Sequence, residues 1–151
     1  MKRISSLREV EAPFTAVVCD LWGVIHDGRR LFTEAIAALR RMREGGKPVA
    51  VLSNSPRPAR FALERLHALG AGEGWFDVFV TSGDLTRSYL ESQFPAASLY
   101  HIGQARDAVT IEGLPNPRAV SPEEAELLVC TGFSDALGLD LEAHAAFLQK
   151  T

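Results

Sequence analysis

Short, uninterrupted apolar runs alternate along the chain with longer stretches in which apolar positions recur every three or four residues. The first run, Ala16-Val17-Val18-Cys19, predicts a strand over about residues 14–20 that is buried on both faces, as in a parallel sheet. It ends on Asp20, with Gly23 marking a turn soon after. In open α/β sheets the ligand crevice lies outside the carboxyl ends of the strands, so a carboxylate there can meet a ligand without being buried uncompensated. Asp20 is therefore the first candidate site residue.

The same alternation continues to the end of the chain. Thr33 is placed to cap a helix running to about Glu44 with Ile36, Leu39 and Met42 on one face, stopped by Gly45-Gly46 and Pro48. A second buried strand, Pro48 to Leu52, ends on Ser53-Asn54-Ser55. A right-handed strand, helix, strand crossover brings Ser53 beside Asp20. Between them, Asp27-Gly28 separates Val24-Ile25 from Leu31-Phe32, which predicts a short hairpin flap beside Asp20. Pro56 or Pro58 opens a helix with Ala59, Ala62, Leu66 and Leu69 on its apolar face, and the glycines from Gly70 to Gly74 read as a turn. Further on come a strand at 77–81, a helix capped by Asp84, a strand at 98–103, a short helix at 107–111, a strand at 126–131 and a helix capped by Asp140. Residues 1–13 lack periodicity and read as an arm. The order of elements is that of an α/β fold.

Composition narrows the function classes. With 46% hydrophobic residues, 23% charged and a net charge of -3, the chain has neither the low hydrophobicity of a disordered segment nor the basic excess of a nucleic-acid binder. No run approaches the ~20 apolar residues of a membrane span, so neither nucleic acid nor membrane is an expected partner and the reading is cytoplasmic. Cys19 and Cys130 lie in apolar runs and are expected to be buried free thiols. His67, His101 and His144 lack ligand spacing and read as surface or packing residues.

A carboxylate at one strand end with a hydroxyl at the next suits attack on phosphorus through an aspartyl-phosphate, and equally the holding of Mg²⁺ against phosphate oxygens. The competing reading makes Asp20 a turn residue. Arg57 is either a phosphate ligand or a solvated arginine at a helix start.

The stretch Asp20-Leu21-Trp22-Gly23-Val24-Ile25-His26-Asp27-Gly28, with Leu52-Ser53-Asn54-Ser55-Pro56-Arg57, resembles the first and second motifs of the haloacid-dehalogenase-like (HAD) superfamily. The branch is class IIA, which includes 4-nitrophenylphosphatases and nucleotide and sugar monophosphatases, and Thr81-Ser82-Gly83 resembles its hinge into a cap domain. The resemblance implies a HAD-like Rossmannoid parallel-sheet core over residues 1–82, a partial α/β cap over residues 83–151, and Mg²⁺-dependent hydrolysis of a small phosphomonoester. It makes Asp20 the nucleophile and a Mg²⁺ ligand, the carbonyl of Trp22 a second ligand, and Ser53 the phosphate-binding hydroxyl, with Asn54 beside it. Trp22 stands where the family has a second Asp acting as general acid and base, which leaves His26 and Asp27 as the candidates for that work. The family's third and fourth motifs, a Lys and further acidic Mg²⁺ ligands, lie beyond the cap, and the resemblance places the end of this chain inside the cap. Two readings follow: a phosphohydrolase, or a catalytically silent module that binds a phosphorylated ligand or a partner chain. In the HAD arrangement the strand ending in Asp20 has a neighbour from the segment after the cap, so its open edge invites self-association.

Overall fold

The computed structural model describes residues 14–149, so the arm read over residues 1–13 lies outside the described residues. The elements are β1 (Val17–Asp20), α1 (Thr33–Glu44), β2 (Val49–Ser53), α2 (Ala59–Ala68), β3 (Val78–Thr81), α3 (Ser82–Gln93), β4 (Leu99–Ile102), β5 (Leu127–Cys130) and α4 (Leu141–Leu148). The strands form a three-stranded sheet in the order β1-β2-β3 and a two-stranded sheet β4-β5. Both described pairings, β1 with β2 and β4 with β5, are parallel, as a HAD-like α/β fold requires. Among the described residues no helix is long and apolar enough to cross a membrane.

The chain divides into two compact units, the first comprising Met1–Ser53 with Leu66–Phe79 and the second Asn54–Arg65 with Val80–Thr151. In the first, β1 and β2 run in register from Val17↔Val49 to Asp20↔Leu52. Cys19, Val49 and Val51 are buried with Ile36 and Leu39 of α1, and with Ile25, Leu66 and Trp75. The opposite face is open: Val18 is 68% exposed and Leu52 45%. The expectation of a β1 buried on both faces is thus corrected, because strand side chains alternate and helix packing covers one side only. Asp77 ties the unit together. Its carboxylate accepts from the Val49 amide at 2.8 Å and from Arg43 Nε at 2.6 Å, and those bonds hold it below the usual carboxylate range. Arg40 and Arg43 also donate to the carbonyls of Glu73 and Gly74, which anchors the predicted glycine turn.

In the second unit Leu90, Leu99, Ile111, Leu114 and Val129 form one apolar cluster, with Leu127 packed against it. The stretch expected as a short helix at 107–111 is a 3₁₀ helix over Ala105–Thr110. Cys130, expected to be buried, is exposed, whereas Cys19 is buried; both are free thiols.

Two cap assignments change. Helix α1 begins after Phe32 with no side-chain cap, and Thr33 is its first residue. Helix α3 is capped by Thr81, and Asp84 is the third helical residue of a reciprocal capping box. The Asp84 carboxylate also accepts from the amide of Ala59, the first residue of α2, at 3.0 Å, so one side chain serves two helix starts. Gly83 lies against the same segment: its amide donates to the Ser55 carbonyl, and a Cβ on it would collide with the carbonyl oxygen of Pro56. No side chain fits there. Gly83→Ala is therefore expected to destabilise the protein by about 2–3 kcal/mol through overpacking, and Asp84→Ala by about 1–2 kcal/mol through loss of capping. Urea unfolding midpoints check both, and a wild-type midpoint for Gly83→Ala would overturn the packing argument.

Candidate active site

The site is built where β1 and β2 end. Because the two strands are parallel neighbours, spaced by about 4.8 Å, and Asp20 stands opposite Leu52, Ser53 follows one residue beyond Asp20's partner on the adjacent strand. Asp20 is exposed, and its Oδ1 accepts from the amide of Leu21 at 2.8 Å. Ser53 is half-buried. Parallel pairing thus sets, at the carboxyl ends of adjacent strands, two residues that lie far apart in the chain.

The stretch after Asp20 folds as a flap, but not as the two-residue hairpin expected. Isolated bridges join Trp22 to His26 and His26 to Leu31, and the turn spans Asp27 to Arg30, closed by the Asp27 amide on the Arg30 carbonyl. The Asp27 carboxylate accepts from the amides of Arg29 and Arg30, both at 2.9 Å, and from Arg30 Nε at 3.2 Å. These bonds, the backbone ones foremost, keep it below the usual carboxylate range, which suits a turn-former and disfavours a proton donor. His26 is buried, and its Nδ1 accepts from the Gly28 amide at 2.9 Å. Its ring meets Trp22 edge-on, with centroids 5.2 Å apart. Trp22 in turn lies over Gly28, where a Cβ would come within 2.6 Å of the indole Cη2. Both candidates for proton transfer, His26 and Asp27, therefore shape the flap.

The remaining candidates lie in the second unit. Arg57 Nε is 3.5 Å from the buried Asp107 carboxylate, and its guanidinium lies over the Phe61 ring, so its charge is already engaged. Asn54 is exposed and lines an open groove of about 860 Å³ with Ser82, Thr110, Thr131, Leu85 and Tyr89. At the ends of β4 and β5, His101 Nε2 and the Thr131 hydroxyl share a hydrogen bond of 2.7 Å, and burial pushes the His101 imidazole down. The periodicity held no sign of this pair. His144 is a packing residue, as read: its ring bonds the Asp140 carbonyl and the Ser134 amide.

As a metal site the donors are hard oxygens. Asp20 offers a carboxylate, and the Trp22 carbonyl takes no hydrogen bond from the described residues. Such donors suit Mg²⁺, which retains waters and completes its shell with substrate phosphate. Among the described residues no group of three or more His, Cys, Asp or Glu is gathered to hold a metal ion.

A sequence profile of the haloacid dehalogenase-like hydrolases matches residues 17–114. The chain belongs to this family. The HAD-like assignment is further supported by similarity to Sugar-phosphatase AraL of Bacillus subtilis (strain 168), 28% identical over 130 residues that make up 84% of this chain and 47% of that protein. A haloacid dehalogenase-like hydrolase from Brucella suis 1330 superposes with a TM-score of 0.77 at 36% identity, over 91% of this chain and 51% of that one. The glycerol phosphate phosphatase of Mycobacterium tuberculosis, solved in complex with magnesium, shares the fold at a TM-score of 0.62 and 24% identity, over 90% of this chain and 41% of that one. The chain therefore spans about half the length of the HAD-like proteins it matches, and class IIA is the branch these likenesses support.

The flap makes its own prediction. Gly28 has φ +87° under the Trp22 ring, so Gly28→Ala is expected to cost about 1–2 kcal/mol of backbone strain and to displace the indole. Acrylamide quenching of the exposed Trp22 reads this against Trp75, which is 1% exposed. Because the folded-state pKa of Asp27 is lowered, its contribution is fully present above the ordinary carboxylate value of about 3.9 and is lost as pH falls through the lower, folded value. The Asp27 contribution to Trp22 quenching should accordingly stay constant from neutral pH down to about 4, and a change within that range that Asp27→Asn abolishes would show that the carboxylate titrates there.

Proposed function

We propose that the protein is a Mg²⁺-dependent phosphohydrolase acting on small phosphomonoesters, with Asp20 as nucleophile. The observation that carries this reading is the exposed Asp20 carboxylate at the end of β1, with Ser53 at the end of the neighbouring parallel strand β2. A sugar phosphatase among the relatives and a magnesium-bound phosphatase among the structures of like fold support it. An Asp20 oxygen attacks phosphorus and the bond to the leaving oxygen breaks, giving an aspartyl-phosphate; the departing alkoxide takes a proton, and water then opens the acyl phosphate to return Asp20 and release phosphate. The Ser53 hydroxyl donates to a phosphoryl oxygen, with Asn54 beside it. Asp20 and the Trp22 carbonyl would hold Mg²⁺, which supplies positive charge against the phosphoryl oxygens. Residues 1–82 act as the core, and residues 83–151, entered through Thr81-Ser82-Gly83, as a cap that selects the substrate. The free thiols Cys19 and Cys130 suit the cytoplasm. Edge strand β1, with its open face, is the expected seat of self-association, and a monomer at every concentration in light scattering would count against that.

A second reading is favoured by one observation. The flap engages both His26 and Asp27, and the family resemblance puts Trp22 at the acid-base position, which together favour a site that binds a phosphorylated ligand with slow or no turnover.

Phosphate release from a panel of phosphomonoesters with Mg²⁺ separates the two readings. Under the hydrolase reading Asp20→Asn abolishes release, and Ser53→Ala raises KM. Trp22→Asp is expected to raise kcat by up to about 10²-fold, the lower end of what a general acid-base group contributes. An unchanged kcat in a folded Trp22→Asp variant would show that His26 or Asp27 supplies the proton. Binding of the phosphomonoesters without release in the wild type would establish the silent module.

A further inference from the structure

Trp22 combines two properties that seldom occur together. The residue is 64% exposed, which forfeits the burial that makes an indole useful in a core. Yet it is fixed from two sides, edge-on by the buried His26 at 5.2 Å and from beneath by Gly28, whose missing Cβ lets the ring settle on the turn. That turn is itself held by Asp27. The exposed Val24, 42% accessible, lies in the same loop. A rigid aromatic surface held open to solvent, two residues from the proposed nucleophile, has little left to lose in rotamer entropy when a ligand covers it.

We propose that Trp22 is a specificity-determining platform on which the leaving group of the phosphomonoester stacks. It selects leaving groups with a flat ring face, either an unsaturated ring or a saturated ring presenting its C–H edges, over short acyclic chains. This rests on the reading of Asp20 and Ser53 as the phosphoryl site, and it gives the residue that replaced an acid-base group a role in recognition. The flap residues His26, Gly28 and Asp27 are positioning residues that hold the platform.

The test uses the full chain with magnesium chloride and three phosphonates that cannot be turned over: phenylphosphonate, cyclohexylphosphonate and methylphosphonate. Calorimetric titration is expected to show one or both ring phosphonates binding about five- to tenfold more tightly than methylphosphonate, the scale of an aromatic contact, and protecting Trp22 from acrylamide. Phenyl above cyclohexyl identifies an unsaturated ring, and equal affinities a C–H face. Trp22→Ala should bring the ring compounds to the level of methylphosphonate, and Trp22→Phe should keep part of the preference. A ring preference that survives Trp22→Ala, or an equal loss for all three ligands, overturns the platform. Ser53→Ala separates the two layers. If it weakens all three ligands while no ring preference exists, the phosphoryl site stands and the platform falls. If it weakens none while the preference still depends on Trp22, the platform stands and the phosphoryl site falls. Absence of binding by all three overturns both.

Discussion

The parallel pairing of β1 with β2 is the constraint on which the candidate site depends. A register of Asp20 against Leu52 sets a carboxylate and a hydroxyl at the ends of adjacent strands, and a shift by one residue would turn every side chain of β1 to the other face. What holds the register is the alternation itself. Cys19, Val49 and Val51 must lie under the apolar face of α1, and that leaves Val18, Asp20 and Leu52 outward. Asp77 adds a polar lock, bonding the first residue of β2 and an arginine of α1's last turn.

Beyond the strand end the backbone is organised by side chains acting on the main chain. Asp27 folds the turn, His26 accepts from Gly28, and the indole of Trp22 closes over both. Polar groups close in sequence to the proposed nucleophile invite assignment to proton transfer, but here their lone pairs already satisfy amides of the flap. The cost of abandoning those bonds is what separates a residue that shapes a site from one that reacts in it.

A similar economy governs the second unit. Asp84 meets the starts of two helices, and Gly83 exists so that α3 can begin against the backbone of Pro56. The Thr81-Ser82-Gly83 stretch, legible as a hinge by resemblance, thus has a local physical role in capping and close approach.

Much of this was readable from the chain. The strands β1 to β5 fall where the apolar runs fall, and helix ends follow the glycines and prolines, because short-range sterics and the periods of strand and helix act within a few residues. The Asp20 and Ser53 motifs were legible for the same reason, each being a strand end. Tertiary structure decided the rest. Which face of the β1–β2 pair is covered depends on the tertiary packing around it, including α1 against β2, and not on the run of apolar residues itself. Arg57 could not be assigned until Asp107 was found beside it, about fifty residues on. The pairing of His101 with Thr131 needed β4 and β5 in register. Thr81 rather than Asp84 caps α3 because the helix starts three residues earlier than the pattern suggested, which puts Asp84 at the third helical position, where its carboxylate meets both the cap residue and the start of α2. Local pattern sets which elements form; partners far apart in sequence settle what each polar side chain does, since a hydrogen bond is won by whichever donor the fold brings within about 3 Å.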